Sequence, residues 1–219
     1  MLRALFEKTG SAVYISHLDL MRVFQRSFQR AGLPLTHTQG FNPRPSVSIA
    51  LPLSLGIESR CELLDFDLEG ELPSCEEIAF RLNKALISGV RVLKVYSDGQ
   101  ELKNLALLQS LITLEYDHGI PENAREEITA LFSREEVIVE KKNKNGTSAQ
   151  NLIPMIRALA IRQLSPRELQ MELLGCCQNP TLNPMQLAAA IRVYLPSFSP
   201  DFVRCQRMEI YDTKENVFR

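Results

Sequence analysis

The sequence lacks the features that mark most specialised classes. No stretch of about 18 apolar residues could span a bilayer, and the opening MLRALFEKTGS has no apolar run to form a signal-peptide core. The five cysteines (Cys61, Cys75, Cys176, Cys177 and Cys205) are odd in number and follow no disulfide or zinc spacing. Free thiols in a reducing, cytoplasmic setting are therefore expected, with no membrane as partner. Neither sign of charge dominates. The 25 Lys+Arg stand against 26 Asp+Glu for a net of −1, which excludes a protein that coats nucleic acid indiscriminately. Tryptophan is absent, and so are GxGxxG, Walker, GxSxG and HExxH signatures. No CxxxCxxC run could ligate an iron–sulfur cluster, so no cofactor or metal is expected in this chain.

What is present is an ordinary globular composition, 45% hydrophobic and 23% charged with 12 Pro and 10 Gly. The length suits one large domain or two small ones. Residues 2–8 read as a strand, and 12–15 (AVYI) have the same β-branched character. Ser16 can cap a helix in which Leu20, Phe24 and Phe28 recur at i, i+4, i+8, with Arg22, Arg26 and Arg30 as a second stripe. Gly32 and Pro34 end it. Gly40-Phe41-Asn42-Pro43-Arg44-Pro45 is an extended, stiff loop, because each proline fixes its own φ and restricts the residue before it. Strands follow at 47–51 and 61–68, a helix at 75–86 and a strand at 90–96.

Strand, helix, strand, strand, helix, strand is the order of a split βαβ unit. The second half has the same plan: strands near 111–116 and 137–141, a helix at 122–132, an Asn145-Gly146 turn and an ambiguous 151–159 carrying Pro154. A strand at 169–174, a helix at 184–195 and a strand at 203–211 complete it. The expected fold is α+β, two tandem ferredoxin-like α/β sandwiches with antiparallel sheets. Their spans are 1–98 and 104–219, with the break near Asp98-Gly99.

Chemistry concentrates in SHLDLMR (16–22) and QGFNPRP (39–45). His17 and Asp19 at a helix N-terminus suit an anion, and His17 could act as a general base. By type and position alone, Ser16, His17 and Asp19 read first as plain capping groups. Phe41 could stack on a base or plug the core. The first 60 residues hold seven Lys/Arg and three Asp/Glu, a local excess of +4. The polar end of the first helix is expected beside the Phe41 loop. Lys141, Lys142, Lys144, Arg157, Arg162 and Arg167 form a second basic stretch, and Asp65 and Asp67 share a strand face within an acidic block.

FEKTGSAVYISHLDLMRVFQRSFQRAGLPL, followed by QGFNPRPSVSIALPLSLGIESRCELLDFDL, resembles the bacterial radical-SAM-linked domain of unknown function over roughly residues 2–70. That domain occurs alone or fused to a cobalamin-binding radical SAM protein, and this chain is similar to the stand-alone form. The resemblance implies an accessory or substrate-presenting partner of a radical SAM/cobalamin enzyme, with RNA as a partner. It points to Ser16, His17, Asp19, Arg22, Gly40, Phe41, Asn42, Pro43 and Glu62 as a shared surface, to which the charge pattern adds Arg26 and Arg44. At the level of fold alone, the chain is also similar to CRISPR repeat-RNA endoribonucleases, which use tandem ferredoxin-like domains. The alternatives are a metal-independent ribonuclease, with His17 as base aided by Arg44 or Tyr14, and a scaffold that binds only protein.

Overall fold

The computed structural model describes residues 1–143 and 146–219. The chain divides into two compact units, Met1–Asn104 with Phe218–Arg219, and Leu105–Val217. Phe218 is buried and the Arg219 carbonyl accepts the Gln100 amide at 2.6 Å, which assigns the last two residues to the first unit.

In the first unit the order is β1 (Leu2–Lys8), α1 (His17–Arg30), β2 (Val47–Ile49), β3 (Ile57–Phe66), α2 (Cys75–Ala85) and β4 (Val90–Tyr96). β1 pairs with β3 and β4, and β2 pairs with β3, every pairing antiparallel, so the strands lie in the order β4-β1-β3-β2. Leu2, Ala4 and Phe6 of β1 point to the face covered by both helices. There they meet Leu20, Phe24 and Phe28 of α1 and Ile78 and Leu82 of α2. Phe6 meets Phe24 edge-on with centroids 4.8 Å apart, and Phe28 lies 4.8 Å from Phe66. Burying each such ring contributes about 2–3 kcal/mol, which is why the 3.6-residue repeat of α1 fixes its orientation.

Of residues 12–15, expected as a strand, the first three fall in a 3₁₀ turn at Gly10–Tyr14 and Ile15 caps its end. The reason is a buried lysine. The Lys8 ammonium donates to the Val13 carbonyl at 3.3 Å and the Ile15 carbonyl at 2.8 Å, pulling that segment back over the sheet. Gly89 completes the corner at φ +83°, where a Cβ would stand 2.4 Å from the Thr9 carbonyl oxygen.

In the second unit β5 (Leu105–Glu115), β8 (Ile156–Ser165), β9 (Glu168–Cys176) and β10 (Phe202–Asp212) lie in the order β10-β5-β9-β8, again antiparallel throughout. α3 (Ala124–Phe132) follows β5, and α4 (Met185–Tyr194) precedes β10. The strand expected at 137–141 is not a member of this sheet. It is β6 (Ile138–Asn143), paired only with β7 (Gly146–Asn151) as a separate hairpin. The Tyr194 hydroxyl secures it by accepting the Ile138 amide and donating to the Ile138 carbonyl, both at 3.0 Å. The strand in the equivalent sheet position is β8, in the stretch that Pro154 made ambiguous. Pro154 itself sits in a 3₁₀ turn just before it. The turn expected at Asn145-Gly146 includes Asn145, and the second basic stretch includes Lys144; both residues lie outside the described ones.

Among the described residues no helix is long and apolar enough to cross a membrane, and no group of His, Cys, Asp and Glu side chains could hold a metal ion. Asp65 is instead bound by Arg3 through two bonds of 2.5 and 2.9 Å, and Asp67 faces the Met1 ammonium at 3.0 Å. Arg157 pairs with Glu215, and Arg162 donates to Gln170, so these two cations of the second stretch are engaged locally.

Candidate nucleic-acid interface

Ser16 forms the helix cap its position predicts. Its hydroxyl oxygen accepts the Asp19 amide at 3.1 Å and its hydroxyl donates to the Asp19 carboxylate at 2.7 Å. Arg22 donates to the same carboxylate at 2.8 Å. These bonds, from Ser16 first and Arg22 second, hold Asp19 below the usual aspartate range. Ser16, Asp19 and Arg22 thus satisfy one another and close the first turn of α1. His17 is half-buried beside them, and Tyr14 and Leu18 are exposed around it.

Glu62, expected on the same surface, is buried at 1% exposure on β3, opposite Phe6 of β1. Its charge opposes the burial that depresses the pKa of Lys8. It therefore belongs to the buried polar cluster under the helix entry, not to a surface.

The loop of residues 38–44 is the tip of a hairpin arm. Leu35 bridges Leu68, His37 bridges Pro45, and Thr36 exchanges backbone bonds with Asp67 and Ser46. The Thr38 amide donates to the Arg44 carbonyl at 2.8 Å, and the Thr38 hydroxyl accepts the Arg44 amide at 3.0 Å, closing the tip. Gly40, Phe41, Asn42 and Pro43 lie within it. Phe41 is fully exposed, at 110%, so the core-plug reading fails and the ring is free to stack.

The arm does not stand beside the N-terminus of α1. Lys8 pairs with Ser59 at one end of the sheet, where its ammonium holds Ile15 at the helix entry. The arm springs from the other end, at Phe66–Leu68. The 14 residues of α1 separate the two by about 20 Å. SHLD and the base of the arm therefore stand at opposite ends of α1, and His37 and Pro45 of the arm line a cleft with Gln25, Arg26 and Gln29, not with His17.

What the arm does meet is the second half of α1. Gln25, Arg26 and Gln29 face His37 and Pro45 across a cleft of about 600 Å³, floored by Phe28, Leu33 and Leu35. Glu69 lines it too, 3.7 Å from the His37 ring nitrogen Nδ1. Apolar floor, amide and guanidinium walls and a single carboxylate are groups that accept a flat heterocycle and read its edge. Neither Arg26 nor the Arg44 side chain has a partner among the described residues. His37, Gln25 and Gln29 carry no signal of their own in the sequence, and Glu69 reads there only as part of the acidic block. The available signal was positional: twelve residues separate Gly32 from Pro45, room for an arm folding back along the helix it follows.

A chain in the crystal structure of a Cbf5-Nop10-Gar1 complex is similar over 95% of this protein and 48% of that chain, with a TM-score of 0.53 and 8% identity. At that identity the likeness is one of fold. This protein spans about half the length of that neighbour. No curated protein matches the chain. A family described as "Uncharacterized protein conserved in bacteria (DUF2344)" matches residues 1–184, which include α1, the hairpin arm and the cleft between them. The chain belongs to that bacterial family.

Proposed function

We propose that this protein binds single-stranded RNA through its first unit and presents it to a radical SAM/cobalamin enzyme. In this reading both units are ferredoxin-like sandwiches, since each has the strand order of a split βαβ unit. The cofactors belong to the partner enzyme. The observation that carries RNA binding is the cleft between the Arg26 side of α1 and the arm that displays Phe41 in solvent. An exposed ring, a free guanidinium and a half-apolar slot are the parts of a single-strand site. The enzyme partner rests on the resemblance of residues 2–70 to the radical-SAM-linked domain.

The test is fluorescence anisotropy with a labelled single-stranded RNA. Phe41→Ala removes a stacking surface worth about 1–3 kcal/mol, so affinity falls roughly 5- to 150-fold while the melting temperature is unchanged. Arg26→Ala weakens binding further and flattens its salt dependence. Wild-type affinity in both variants refutes the reading. Pull-down with a cobalamin-binding radical SAM protein from the same bacterium, with and without ribonuclease, separates an RNA-mediated complex from a protein-only scaffold.

A further inference from the structure

Arg30, the last residue of α1, faces away from the arm. It opens a second depression of about 490 Å³, lined by Arg30, Ala31, Arg81, Lys84 and Ala85. Every polar side chain on that lining is a cation. Arg30 is held in place by donating to the Ala85 carbonyl at 2.8 Å and to the buried Ser27 hydroxyl at 3.2 Å. The Arg81 Nε is fixed by Glu77 at 2.6 Å, and the Lys84 ammonium rests 4.2 Å above the ring of Phe80.

Among the described residues Arg30 and Lys84 have no acid partner, and Glu77 is the one acid in contact with the group. Arg81 and Lys84 stand three apart on α2, a like-charge spacing that costs the helix unless something offsets it. Ala31 and Ala85 keep the floor clear, so the cations converge on open space.

We infer that this basin is a phosphate-binding subsite for the backbone of a single-stranded RNA. Two guanidinium groups and an ammonium supply the planar forks and point charge that phosphate oxygens accept. Phe80, 55% exposed, offers a ring at its rim. The basin and the arm cleft flank the same turn of α1, for Gln29 lines one and Arg30 the other. A strand seated with a base in the arm cleft crosses that turn and lays its next phosphates in the basin. The inference rests on the RNA-binding reading and extends it to the opposite flank of the helix.

The experiment is anisotropy titration of a labelled oligouridylate at several salt concentrations, with wild type and with Arg81→Ala/Lys84→Ala. Lys84 is exposed and Arg81 half-buried on the outer side of α2, where it pairs with the half-buried Glu77, so circular dichroism should show an unchanged fold. Binding by the double variant should weaken about tenfold or more. Its plot of log affinity against log salt should become shallower by about 1.4, the value for two lost phosphate contacts on a single strand. A double variant with wild-type affinity and slope overturns the subsite, while wild-type binding that remains sensitive to Phe41→Ala leaves the arm cleft standing. Absence of binding by the wild type overturns both.

Discussion

Arg3 and Asp65 offer the sharpest test of how the first unit is held together. Their side chains are 6% and 5% exposed, they share two hydrogen bonds of 2.5 and 2.9 Å, and Arg3 donates a further bond to the Gln100 carbonyl at 2.7 Å. The guanidinium also lies 5.4 Å from the ring of Phe218. Burial pulls the pKa of Arg3 down, but the hydrogen bond and charge of Asp65 more than reverse this. Arg3→Met leaves a carboxylate buried without its counter-ion and should cost about 3–5 kcal/mol, with about 1 kcal/mol more for the abandoned Gln100 carbonyl. Asp65→Leu strands the guanidinium and costs a similar amount. The double variant removes both charges and should return to within about 2 kcal/mol of wild type, because desolvation of the pair offsets most of its attraction. Urea unfolding followed by circular dichroism gives the three free energies. Hydrogen exchange at the Gln100 amide, which donates to Arg219, adds a local readout: it should accelerate in Arg3→Met as Phe218 loosens. A double variant as unstable as the sum of the two single ones would refute the reasoning, since additivity would mean that the two side chains are not coupled.

Two further predictions concern the helix entry and the thiols. Ser16→Ala should cost about 1 kcal/mol in unfolding, and the Asp19 carboxyl should titrate closer to its ordinary value by NMR; an unmoved titration would contradict the capping geometry. Because Asp19 is lowered in the folded state, its contribution is present above the unfolded pKa and disappears as pH falls through the folded one, so the difference between wild type and Ser16→Ala should shrink in acid. Among the cysteines, burial pushes Cys177 up to about 11 and Cys205 to about 12. At pH 8 a thiol reagent should modify the partly exposed Cys75 and Cys176 while Cys61, Cys177 and Cys205 react only on unfolding; five equal rates in the native protein would be incompatible with the structure.

The elements that could be read from the sequence are those whose signal is local. α1 carries its own cap, its own apolar stripe of Leu20, Phe24 and Phe28, and its own stop at Gly32, so no distant residue was needed to place it. Residues 12–15 depart from their β-branched signal because the Lys8 ammonium, five and seven positions from the carbonyls it holds, turns them back, and a hydrophobic pattern gives no weight to a lysine that is buried. β3 begins four residues earlier than its apolar run, at Ile57, because Ser59 is buried without being apolar. The candidate site shows the same division. Phe41, Arg26 and Arg44 could be named from residue type, but their partners depend on which end of the sheet the arm leaves. That end follows from pairing Leu35 with Leu68, a contact across 33 positions. Glu62 sits in a stretch matched to a family surface and is nonetheless buried, since residues 61–66 of β3 are covered on both faces, Glu62 on the one it shares with Leu64 and Phe66. Charge obeys this logic as well. The net of −1 conceals a helix whose Asp19 neutralises Arg22 while Arg26 and Arg30 open onto two different clefts. A repeat of arginines at i, i+4, i+8 reads as one stripe in sequence; a helix end wedged between an arm and a second helix turns it into a cap, a slot and a basin.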